Sequence, residues 1–154
     1  MSALAEIERK VKEAKRAVEQ IGYSAEPVSA KKFYDYMTCE IFSDDVTTLH
    51  DVLDNEFLMI HEFVEISELK KRGRAIDKRV IVESPKTVIY EAYFAALEWE
   101  LKYALSKNDC SWVEKRLETH RSSVLMDDPN LPKELRPQGE AIYKRFKRLI
   151  RRSA

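Results

Sequence analysis

The chain has 154 residues, 44% hydrophobic and 35% charged, with three Gly and five Pro, a balance that excludes a disordered or low-complexity protein and fits one domain able to bury its own core. Its formal net charge is zero, and no apolar run approaches the ~18 residues of a membrane span. Cys39 and Cys110 stand far apart and form no close Cys-pair motif, which argues against a disulfide framework. With no secretory signal pattern before the first helix, a cytoplasmic protein is expected. Gln and Asn are scarce beside the charged residues, a composition like that of thermophile proteins.

In chain order, Leu4, Ile7, Val11, Ala14, Val18 and Ile21 recur at spacings of three and four, predicting a heptad-like helix over about residues 3–21. Ser2 caps its start and Gly22 ends it. The seam is expected to dock on the rest of the bundle, or alternatively on a second copy. Ser29 caps a second, aromatic-rich helix running to about Ile41. Ser43, Asp44 and Asp45 mark the start of a short amphipathic helix with Val46, Leu49, Val52 and Leu53, and Asp54-Asn55 recaps into the next.

Residues 54–72 form the helix around which the others are arranged. Phe57, Leu58, Met59, Ile60, Phe63, Val64, Ile66 and Leu69 spread around most of its circumference, as expected of a helix enclosed on most sides. The polar exception is a narrow seam in which His61, Glu65, Glu68 and Arg72 fall within about 60°. Gly73 ends this helix, with Lys70, Lys71 and Arg72 in its last turn. Val80-Ile81-Val82 has strand character but no evident partner, and reads as an extended crossover. Ser84-Pro85 starts a second all-round apolar helix over about residues 85–107, Ser as cap and Pro at the first helical position. Its polar seam holds Glu91, Glu98 and Lys102. Asp109 or Ser111 caps a helix carrying Trp112, Val113, Leu117, Val124 and Leu125, on which Arg116 and His120, one turn apart, read as a solvated pair. A Pro-rich loop with one helical turn after Pro132 precedes a basic C-terminal helix over about residues 138–151. The fold class is therefore all-α: a single-domain bundle of about six helices, two of them central.

The zero net charge conceals a separation. Nine acidic residues and no Lys or Arg lie between Glu40 and Glu68, whereas from Lys133 onward eight basic residues face two acidic ones. The two segments are expected to pair within the fold or across a homodimer.

Motifs that carry chemistry are few. There is no Gly-rich phosphate loop, no Cys-based zinc spacing, and no Ser or Cys beside a His. Glu65-x-x-Glu68 resembles one half of the paired ExxE and ExxD motifs with which MazG-type nucleotide pyrophosphatases hold magnesium. The other half is missing, because Phe94 and Leu101 stand third after Glu91 and Glu98. If the two seams face each other, His61, Glu65, Glu68, Glu91 and Glu98 supply a metal site, and that donor set suits Mg, Mn or Fe better than structural zinc. If the seams face solvent, Glu62 and Glu100 point inward and each needs an Arg, Lys or Tyr partner, since an unpaired buried carboxylate is costly. The sequence leaves open whether the protein is an enzyme. It favours a structural or interaction protein, dimerising and with an acidic central region. A metal-dependent hydrolase comes second, and nucleic-acid binding through the basic C-terminal helix is the least favoured of the three.

Overall fold

The computed structural model describes residues 3–42 and 47–153. Among the described residues the protein is all-α, with eight α-helices, one π-helical and one 3-10 segment, and no strand. The helices are α1 (Ala3–Gln20), α2 (Ala30–Met37), α3 (Leu49–Leu53), α4 (Glu56–Lys71), α5 (Val80–Glu83), α6 (Lys86–Ser106), α7 (Cys110–His120) and α8 (Arg136–Ser153). The π-helical turn Arg121–Met126 prolongs α7, and the 3-10 turn Lys133–Leu135 precedes α8. About six helices were expected; α3 and α5, of five and four residues, account for the larger number. No helix among the described residues is long and apolar enough to cross a membrane.

The two all-round apolar helices are neighbours. α4 and α6 form the most extensive helix pair, with α1 and α2 against α4 and with α7 and α8 on the side of α6. Phe63, Val64, Ile66 and Leu69 of α4 and Ala92, Phe94, Ala96, Leu97, Leu101 and Ala104 of α6 are wholly inaccessible. Of the α1 seam, Ile7, Val11, Ala14 and Val18 are buried against the bundle of their own chain, while Leu4 is exposed.

Helix limits follow local chemistry. Ser29 and Asn55 accept hydrogen bonds from the first-turn amides of α2 and α4, and Asp109 does the same for α7. Gly22 and Gly73 have φ of 104° and 80°, which lets the amides of Tyr23 and Arg74 turn back onto Val18 O and Leu69 O and satisfy last-turn carbonyls. Asn108, with φ 60°, serves the same purpose after α6. The proposed Ser2 cap and the start signals at Ser43, Asp44, Asp45 and Val46 lie outside the described residues. α3 begins instead within a capping box formed by Thr48 and Asp51.

Three expectations are corrected. Val80-Ile81-Val82 is one helical turn rather than an extended crossover: with no strand to pair with, its amides and carbonyls are satisfied locally, Glu83 N on Arg79 O and Ser84 N on Val80 O. An Arg79–Glu83 ion pair of 2.7 Å spans the same turn. α2 stops at Met37, not Ile41, because Glu40 N donates to Lys78 O and draws the chain away. α6 starts at Lys86 with Pro85 as the capping position; the Ser84 hydroxyl accepts from Arg74 Nε at 2.9 Å instead of capping.

Candidate functional site

The polar groups in the interior converge where α2, α4, α6 and α7 meet. His61, on α4, is 4% exposed. Its Nδ1 lies 2.9 Å from Glu100 Oε1 on α6, and its Nε2 lies 3.0 Å from Glu65 Oε2 one turn further along α4. Glu100 is fully buried. Its Oε2 accepts from Arg116 Nε and Trp112 Nε1, each at 2.7 Å, and its Oε1 also accepts from Arg116 Nη2 at 3.0 Å. The Tyr36 hydroxyl of α2 donates to Glu65 Oε1. Glu62 stands beside this chain, with ligand-capable atoms of His61, Glu62 and Glu65 all within 4.8 Å of one another.

Burial and neighbouring charges shift the protonation equilibria of these groups. Burial pulls the His61 pKa down, but its hydrogen bonds to Glu100 and Glu65 outweigh that and hold it at about 10. Both ring nitrogens face carboxylates, so both donate, and His61 is an imidazolium. Burial pushes Glu100 up, yet the Arg116 charge and the His61 hydrogen bond bring it below the ordinary carboxylate range. Arg116 is held more firmly protonated than usual: burial opposes its charge, and Glu100 more than compensates. Tyr36 is raised well above its usual value, by burial and then by the nearby Glu65 and Glu62 charges. Cys39, at the edge of the cluster, is pushed up to about 11 by burial and by Glu65, so its thiol is a poor nucleophile.

Tyr93 links this group to a second histidine. Its ring lies 5.5 Å from that of His61 and 5.9 Å from that of His120, and its hydroxyl is 3.1 Å from His120 Nδ1. His120 Nε2 donates to the Gly139 carbonyl of α8 at 3.0 Å. Burial, with Arg116 and His61 nearby, lowers the His120 pKa although the Gly139 hydrogen bond opposes it, so His120 is neutral and Nδ1 accepts from Tyr93. The reading of Arg116 and His120 as a solvated pair is therefore corrected. Arg116 turns inward to Glu100 and His120 is 1% exposed, because α7 packs its inner face between α6 and α8.

The remaining seam residues go elsewhere. Glu68 is buried in a separate cluster, accepting from Tyr23 Oη at 2.6 Å and Arg72 Nη1 at 2.7 Å, with Lys71 Nζ at 3.2 Å. Glu98 pairs with Arg145 of α8 at 3.0 Å. Glu91 is half-buried, and neither it nor Glu98 joins the His61 group. The acid of α6 that faces His61 is Glu100, the exception inside the apolar surface of its helix. Tyr36, Tyr93, Trp112 and Arg116 complete the network without having been singled out for it. The need of Glu100 for a cation was the one signal pointing to Arg116, which lies 16 residues away on the next helix.

Chemically the arrangement is closed. A doubly donating imidazolium has no lone pair for a metal ion, so a cation could bind His61 only after taking the place of its proton. Two surface depressions, one of about 80 Å³ between α1 and α4 and one of about 270 Å³ along α8, are lined by no residue of the network. Compared with protein families, curated proteins and solved structures, the chain matches none, so its functional reading rests on this geometry.

Proposed function

We propose that this chain is a non-catalytic interaction protein, a helical scaffold that meets a partner through its charged surface. The observation that supports this reading is the saturation of its interior: among the described residues no buried side-chain nitrogen or oxygen lacks a hydrogen-bond partner. Catalytic groups are held with a reactive proton or lone pair directed at substrate. In the His61 network both ring nitrogens of His61 and both oxygens of Glu100 are occupied by neighbouring side chains, and the charges of His61 and Arg116 face those of Glu65 and Glu100. A self-associating form, the homodimer expected from the charge separation, belongs to the same reading.

The clustering of His61, Glu62 and Glu65 within 4.8 Å favours a second reading, a metal-dependent hydrolase using Mg, Mn or Fe. Thermal melts of wild type and Glu65→Ala with and without excess manganese separate the two. An ion bound only by the folded state raises its melting temperature. The interaction reading expects the same melt with and without manganese in both proteins. A manganese-dependent rise in wild type that Glu65→Ala abolishes would replace it with the metal-site reading.

A further inference from the structure

α8 carries a stripe of cations that stand outside the ion pairs of the fold. Lys144, Lys147, Arg148 and Arg151 recur at i, i+3, i+4 and i+7, one stripe about 10 Å long on the helix. Together with Tyr143 they line the shallow depression of about 270 Å³. Lys144, Arg148 and Arg151 are exposed, and among the described residues none of the four lies within ion-pair distance of a carboxylate. Elsewhere several cations hold acids: Arg72 and Lys71 hold Glu68, Arg79 holds Glu40 and Glu83, Arg116 holds Glu100, and Arg145 of α8 itself holds Glu98. Within the acidic segment from Glu40 to Glu68, cations outside α8 hold Glu40 and Glu68, and His61 holds Glu65.

We propose that the α8 stripe docks the phosphate backbone of a nucleic-acid duplex without reading its sequence. The proposal rests on the interaction reading above and names the partner. A duplex presents one negative charge per ~1.7 Å of axis, so a 10 Å stripe spans about six charges and four cations can each meet one. Two features favour this occupant. An inserting membrane helix would require a broad apolar face, but Ile142 and Phe146 of α8 are buried in the bundle and Leu149 is its one exposed large apolar side chain among the described residues. A single strand would require exposed aromatic platforms, whereas Tyr143 is half-buried with Lys147 Nζ 5.7 Å from its ring centre.

Fluorescence anisotropy with labelled duplex DNA and duplex RNA of mixed sequence tests this, with anionic phospholipid vesicles and sedimentation of the protein alone as further arms. Binding to duplex is expected, falling about 100-fold between about 50 and 200 mM salt, with a log–log slope near −3.6 for four contacts. Lys144→Ala/Arg148→Ala should halve that slope to about −1.8. Lys12→Ala/Arg16→Ala, an equal loss of charge on the exposed face of α1, should leave it unchanged. Absence of duplex binding at low salt overturns the proposal, as does an equal loss in the α1 variant, binding to vesicles in place of duplex, or an α8 variant that alters only self-association. Circular dichroism confirms that each variant is folded. The interaction reading itself falls on the manganese melts, so the two failures are distinguishable.

Discussion

Glu100 shows what one side chain costs and supplies. It is fully inaccessible, yet four N–H donors from His61, Arg116 and Trp112 reach its two oxygens. An ionised carboxylate in such a place is tolerated only when its charge and its lone pairs are both answered. The converse also holds: without Glu100 the Arg116 and His61 charges are left buried and underpaired. Glu100→Gln keeps the shape and removes the charge, and is expected to destabilise the fold by about 3–5 kcal/mol, the range for breaking a buried pair. Denaturant unfolding followed by circular dichroism checks this, and a loss below about 1 kcal/mol would show that water already reaches the network.

At the scale of elements, α8 is positioned by close approach as well as by charge. Gly139 is buried in its second turn, where an added Cβ would lie 2.9 Å from Leu125 Cδ2 and 3.0 Å from Phe94 Cζ. The leucine tip can give way; the Phe94 ring, with no exposure at all, cannot. The same residue's carbonyl accepts the His120 hydrogen bond, which ties α8 to the junction of α7 and the π-helical turn. Gly139→Ala gains about 1 kcal/mol of helix propensity but overpacks this contact, and a net loss of about 1–2 kcal/mol is expected. Thermal unfolding measures it. A variant more stable than wild type would mean that α8 can shift outward without loss.

For the whole molecule, the two buried histidines set the pH dependence of stability in opposite directions. The folded pKa of His61, about 10, lies above its unfolded value of about 6.5. Its contribution is therefore fully present below about pH 6.5 and is lost as pH rises through about 10. His120 has a lowered folded pKa, so its contribution is present above about pH 6.5 and is lost as pH falls through that lower value. Between about pH 7 and 9.5 the unfolding free energy should fall by about 1.4 kcal/mol per pH unit more in wild type than in His61→Gln, the slope for one proton. Urea unfolding across that window gives the comparison, and parallel profiles would mean that folded His61 is neutral.

What the sequence determined by itself is local and periodic. The apolar circumference of residues 54–72 and 85–107 marked two central helices, and Ser29, Asn55, Gly73 and Asp109 marked ends that the chain observes, because caps and amphipathic faces depend on neighbours a few residues away. Where local signals were weak, as at Val80-Ile81-Val82, propensity gave way to backbone hydrogen bonds available within one turn. The rotation of α4 against α6 was decided only by tertiary packing. Polar seams on both helices showed that charges would need partners, but the choice of Glu100 over Glu91 or Glu98 for His61, and the inward turn of Arg116, depend on how four helices interlock. The charge separation along the chain had the same character. Its amount could be counted, but cations from the middle of the chain hold Glu40 and Glu68 while the α8 stripe pairs with neither, and that distribution follows from distances the linear order does not contain.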